Sequence, residues 1–143
     1  MCKNNRAKQE LQKIKLIDTQ IDSMLAEVSQ IRSMATKVTA SIGGEGGGGS
    51  YGGDKLGDAI ARIIDLEQEI DRKIDDLLDR KKKWLELIYD IGDPSYIKVL
   101  HRRYFLYETF ERIAAEIDYS YRNVCYIHGK ALQALNEMID KED

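Results

Sequence analysis

Between Ser120 and Lys130 the chain gathers Ser120, Tyr121, Arg122, Asn123, Tyr126 and Lys130, a set suited to recognition by hydrogen bonding. A guanidinium pairs with guanine through two parallel bonds, and a carboxamide pairs with adenine in the same way. Tyrosine hydroxyls bond phosphate or pack their rings on thymine methyls, and a serine or lysine reaches phosphate. The apolar residues Val124, Ile127, Ala131, Leu132 and Leu135 run through the same stretch at helical spacing. A helix that begins at Ser120 therefore buries that stripe and turns Tyr121, Arg122, Asn123, Cys125, Tyr126 and Lys130 outward. Arg102 and Arg103 lie upstream, where cations suit a helix C-terminus. One of the two reads as a phosphate contact and the other as the partner of an acidic residue.

Catalytic chemistry has little to stand on. No Ser-His-Asp or Cys-His constellation is suggested, so no enzyme is expected and no cofactor either. Cys125 and His128 make one Cys-x-x-His, short of the four ligands of a structural zinc site, and no metal is expected. His128 reads as a surface or phosphate-facing residue. The acidic run through Asp65, Glu67, Glu69, Asp71, Asp75, Asp76 and Asp79 lacks the histidines of a di-metal carboxylate site and reads as a solvated helix face.

The elements that must position the recognition set follow from local signals. Asp93-Pro94 starts a helix, because Asp caps and Pro suits the first turn. The spacing then predicts helices over about 94–105, 109–117 and 120–140, with Thr109 and Ser120 as caps of the second and third. Only Asp118-Tyr119 separates the last two, which forces a tight turn between them.

Upstream, Arg6 to Ile42 contains no glycine or proline, and apolar residues recur at Ile14, Ile17, Ile21, Met24, Val28, Ile31, Ala35, Val38 and Ile42. Alternating steps of three and four are the seam of a coiled coil, and about 35 residues make a rod of roughly 50 Å. Residues 43–53 follow, eight glycines in eleven, and read as a flexible linker. They are not a phosphate-binding loop, since no strand precedes them and no Gly-Lys-Ser/Thr follows. The pattern repeats over Lys55–Ile91, at Leu56, Ile60, Ile63, Ile70, Ile74, Leu77, Trp84, Ile88 and Ile91, with Glu67 and Lys81 interrupting the seam. The expected fold is all-α: a long antiparallel helical hairpin over residues 1–92, then a three-helix module over 93–143.

With 43% hydrophobic and 33% charged residues, the chain has the composition of a folded helical protein. No stretch has the length of uncharged apolar sequence that a membrane span needs, and the first residues lack the apolar core of a secretory signal. The cytoplasm of a bacterial host is the expected location. Cys2 and Cys125 do not suggest a disulfide framework.

In the last fifty residues, Val99-Leu100, Arg103-Tyr104, Thr109-Phe110, Ile113-Ala114, Ile117, Tyr119-Ser120, Val124, Ile127, Ala131-Leu132 and Leu135 resemble the region-4 pattern of bacterial sigma factors. With the preceding hairpin, and the stretch from Ile42 to Glu69, the chain is similar to phage and prophage late transcription regulators of the ArpU and RinA groups. The resemblance implies a helix-turn-helix that binds double-stranded DNA, and contact with RNA polymerase. The chain departs from the pattern in three ways. Arg112 replaces the glutamate of a capping box, Cys125 and Tyr126 stand where polar or charged contacts are common, and nothing corresponds to region 2.

The leading expectation is a phage or prophage DNA-binding regulator whose contacts are Ser120, Tyr121, Arg122, Asn123, Tyr126, Lys130, Arg102 and Arg103. The hairpin would then form a homodimer or dock a partner. Two alternatives stand beside it: a small-terminase-type DNA-packaging protein, and an adaptor that binds RNA polymerase. The charge by segment favours the adaptor, being +3 for residues 1–42, −1 for 43–53, −3 for 54–92 and −2 for 93–143, with no strongly basic stretch.

Overall fold

The computed structural model describes the backbone of residues 5–44 and 50–142 and the side chains of residues 5–37 and 54–141. Among the described residues there are five helices: α1 (Arg6–Gly44), α2 (Ser50–Ile91), α3 (Pro94–Tyr104), α4 (Phe110–Ile117) and α5 (Tyr121–Glu142). α1 and α2 form a long antiparallel pair, and three shorter packed helices follow, as the hydrophobic periodicity predicts. None of the described helices is long and apolar enough to cross a membrane. Within the glycine-rich stretch 43–53, Gly43 and Gly44 end α1 and residues 50–53 begin α2, so the expected linker is shorter than eleven residues. Residues 45–49, like Cys2 and the side chains of Val38 and Ile42, lie outside the described range.

The contacts divide the chain into two compact units, Asp18–Asp76 and Met1–Ile17 with Leu77–Asp143. In the first, Ile21 and Val28 of α1 and Ile63, Leu66 and Ile70 of α2 are buried. Each contributes on the order of 1.5–3 kcal/mol of hydrophobic stabilisation. Polar pairs bridge the two helices: Lys73 Nζ to Gln20 Oε1 at 3.2 Å, Arg62 to Glu27 at 3.2 Å, and Arg32 to Glu67. Gln20 meets Lys73, whereas Glu27 and Arg32, further along α1, meet the earlier α2 residues Arg62 and Glu67, which is the antiparallel sense.

The seam of α2 departs from the sequence expectation. Ile60 and Ile74 are exposed, at 48% and 36%, and Leu66 and Leu87 are buried instead. The seam positions Ile63, Ile70, Leu77, Trp84 and Ile88 all hold, and the residues three on from Ile63 and Trp84, Leu66 and Leu87, are buried beside them. An α-helix of 3.6 residues per turn drifts about 20° per heptad against a 3.5-residue repeat, which decides which flank stays covered. Consequently Lys73 and Arg80 flank the seam and send their heads to Gln20 and Glu10, whereas Glu67 lies on the exposed side with Arg32.

In the second unit, α3, α4 and α5 close over Val99, Ile113, Ala114, Val124 and Ile127, with Tyr96, Phe110 and Ile117 packed against them. Ala7, Leu11 and Ile14 from α1, and Trp84, Leu87 and Ile88 from α2, are buried in the same unit. Gly92, at φ +81°, ends α2 in a left-handed conformation that glycine takes without strain, and its N–H returns to the Tyr89 carbonyl at 3.1 Å. The next residue caps α3: Asp93 Oδ1 accepts from the Ser95 N–H at 2.9 Å and the Ser95 hydroxyl at 2.7 Å. The Ser95 bonds hold the Asp93 carboxyl below its usual range.

Asn136 fastens the first turn of α1 to α5. Its Oδ1 accepts from the Ala7 N–H at 2.9 Å, and its amide donates to Asn5 Oδ1 at 3.2 Å. Asn5 Oδ1 in turn accepts from the Lys8 N–H at 3.4 Å as the helix cap.

Candidate nucleic-acid interface

The turn between α4 and α5 is built by residues 118–120. Asp118 adopts the left-handed conformation at φ 60° and ψ 43°, and the Tyr119 N–H bonds the Ala114 carbonyl at 3.0 Å. Ser120 then caps α5, its Oγ accepting from the Asn123 N–H at 3.0 Å. At the other end of this element, Thr109 caps α4 by accepting from the Arg112 N–H at 3.2 Å. Both caps are the residues that the sequence marks, and together they fix where each helix begins.

From Ser120 the apolar side of α5 turns inward and the polar side is left to solvent. Val124, Ile127, Ala131, Leu132 and Leu135 are buried, while Tyr121 is 50% and Tyr126 63% exposed. Arg122, Asn123 and Lys130 are exposed as well, so six of the eight expected contact residues share one end of one helix. The first turn of α5 also carries the positive end of the helix dipole, which favours an anion nearby.

Within this surface the Lys130 ammonium lies 5.7 Å from the centre of the Tyr126 ring. The half-buried Cys125 thiol beside Tyr121, with Glu111 nearby, raises the phenol above its usual range. The outward stripe Arg122–Tyr126 continues through Gly129 to Gln133, which is exposed and able to make the paired bonds of a carboxamide with adenine. Gln133 is a candidate that the sequence reading omits; extending the helical period two more turns finds it.

Arg102 and Arg103 come from the last turn of α3, and Arg102 is the one of the two that pairs with acidic residues. Arg102 is drawn between two carboxylates, Glu108 at 3.2 Å and Glu116, and Arg112 pairs with the same two at 3.3 Å and 3.0 Å. Arg103 donates to the Glu108 carbonyl at 3.1 Å and stacks its guanidinium over Phe110 at 4.2 Å. Both therefore brace the corner between α3 and α4. Arg112, which costs the chain a capping box, is the second cation of this corner, and its bond with Glu116 holds that carboxyl below its usual range.

His128 corrects a second expectation. It is half-buried and points to the interior, its Nε2 2.7 Å from the Tyr104 hydroxyl and its ring edge-on to Phe110 at 4.8 Å between centres. Its place in α5 explains this: it lies one turn after Val124, on the apolar side.

No protein-family model, curated protein or solved structure matches the chain.

Proposed function

We propose that the protein is a DNA-binding transcription regulator of phage type, which reads duplex DNA with the first turns of α5. The observation that carries the reading is the surface of that helix. A tight turn delivers a capped helix whose buried stripe is complete and whose opposite side presents two exposed tyrosines, an arginine, an asparagine and a lysine. Tyrosines half or more exposed at the start of a helix contribute little to the fold, whereas a helix in the major groove uses its N-terminal residues on base edges. Arg122 and Asn123 supply base readout; Ser120, Tyr121, Tyr126 and Lys130 supply phosphate contacts. The resemblance to sigma region 4 supports the same assignment of α4 and α5.

Selection from a random duplex library at physiological salt tests this reading, with the intact protein compared to the Tyr121→Ala/Arg122→Ala/Tyr126→Ala variant. An enriched motif that the variant loses supports it; no enrichment by the folded protein removes it.

A second reading, docking to a protein such as RNA polymerase, draws on a different surface. Tyr89, Ile97, Lys98, His101 and Leu106 line a shallow groove, with Tyr89 57% and Leu106 53% exposed. On the other unit, the exposed Leu25, Ile60 and Ile64 support a role for the hairpin in dimerisation.

A further inference from the structure

Folding regroups the charge that the segments of the sequence keep apart. Residues 1–17 carry five basic and one acidic side chain, residues 77–92 four and three, and residues 93–143 seven and nine. The unit that contains α3, α4 and α5 is therefore at +3, while Asp18–Asp76 is at −6. The basic excess of the unit that contains α3, α4 and α5 comes entirely from the helical hairpin, with residues 1–17 the largest source.

Two of those cations are placed beside the recognition elements. The bond from the Ala7 N–H to Asn136 fixes the start of α1 on α5, so the neighbouring Lys8 lies along that helix. Seven residues on, and so on the same face of α1, Lys15 holds its ammonium 5.9 Å from the centre of the Tyr107 ring. Tyr107 stands two residues before Thr109, the cap of α4. In a helix-turn-helix the first of the two helices crosses the phosphate backbone, which puts a cation at Lys15 next to a strand. Neither lysine has a carboxylate partner among the described residues, whereas Lys13, on the same helix, is paired with Glu10 at 3.0 Å. Lys8 also helps, with Arg103, to hold His128 neutral, consistent with its nearness to α5.

We infer that Lys8 and Lys15 contact the phosphate backbone of duplex DNA, so that the start of α1 is part of the binding surface and not only of the hairpin. The inference rests on the reading of α5 as a DNA-reading helix. It supplies the electrostatic share of affinity that residues 93–143, with their net negative charge, lack. Being aimed at phosphates, the two lysines contribute equally to every sequence and leave base preference to Arg122 and Asn123.

The test is the salt dependence of binding to a mixed-sequence duplex, for the intact protein, a Lys8→Gln/Lys15→Gln variant, and a Lys37→Gln/Lys55→Gln variant that removes the same charge from the other unit. Thermal melting establishes that all three are folded. The inference expects the first variant to bind roughly tenfold more weakly and to lower the slope of log affinity against log salt by about 1.8, two phosphate contacts' worth. The second variant keeps the slope of the intact protein. An intact protein that binds with a slope unchanged by Lys8→Gln/Lys15→Gln overturns the inference and leaves the reading of α5 standing, as does an equal loss in both variants. An intact protein that binds no duplex at any salt overturns both.

Discussion

The Tyr104 hydroxyl and His128 Nε2 meet at 2.7 Å and join α3 to α5 on the inner side of the candidate recognition helix. Burial, reinforced by the Arg103 and Lys8 charges, pushes the His128 imidazole down to about 4, and burial pushes the Tyr104 phenol up to about 12. Both groups are therefore held neutral at ordinary pH, and the bond between them satisfies atoms that would otherwise lie unpaired.

The first prediction concerns pH. An unfolded histidine protonates near 6.5 and His128 in the fold only near 4, so between those values the unfolded chain binds more protons. The stabilisation is complete above about 6.5 and falls away as pH drops toward 4, by roughly 2 kcal/mol once solvent screening is allowed for. At the alkaline end the sense reverses: Tyr104 ionises near 10 when unfolded and near 12 when folded, so stability declines as pH rises through that window. Urea unfolding from pH 4 to 8 measures the acid limb. His128→Gln flattens it; an unchanged slope in that variant contradicts the assignment.

A second prediction separates bracing from recognition. Arg102 is engaged by Glu108 and Glu116, so Arg102→Gln lowers stability by about 1 kcal/mol and leaves sequence preference untouched. Arg122→Ala does the opposite: it relaxes preference at one base pair, by about 1–3 kcal/mol of discrimination, with stability nearly unchanged. Chemical denaturation and binding to single-substituted duplexes read the two effects separately.

The turn before α5 supplies the third. Asp118 sits at φ 60°, a conformation that costs a β-branched residue about 1–2 kcal/mol. Asp118→Val is accordingly destabilising by that amount, and Asp118→Gly is neutral or stabilising by about 0.5 kcal/mol. Thermal melting of the pair gives the sign. Equal stability of both variants contradicts the observed turn.

The fourth concerns the attachment of α1. Asn136→Ala leaves the Ala7 N–H and the Asn5 carboxamide without their partner, in a turn where Ala7 is fully buried. The expected loss is about 1–3 kcal/mol, with faster amide exchange in the first turn of α1 than in the middle of α5. Exchange that is unaltered in α1 contradicts this role for Asn136.

Much of the local architecture is legible in the sequence. Asp93, Thr109 and Ser120 can be read as caps because capping is a matter of one side chain and the next three amides. The buried face of α5 can be read because Val124, Ile127, Ala131 and Leu135 are all apolar and all on one side. The seam of α2 is harder. Ile60 and Ile74 fit a heptad as well as Leu66 and Leu87 do, and only the drift of a real helix against its partner decides between them. Arg102 and Arg103 carry the same charge as a phosphate contact would, and their engagement with Glu108 and Phe110 depends on how the α3–α4 corner closes. The electrostatics of the site are hidden for a similar reason: residues 1–17 and 93–143 are far apart in sequence, and their charges combine only once Asn136 holds Ala7.

Amide chemical-shift mapping with the duplex enriched by selection tests the central claim most directly, because it reports which residues the DNA reaches. The largest changes are expected from Ser120 to Lys130 on α5, with smaller ones at Thr109 and at Lys8 and Lys15 on α1. Changes confined to the groove of Tyr89, Ile97, Lys98, His101 and Leu106, or none at a concentration that saturates binding, contradict the account.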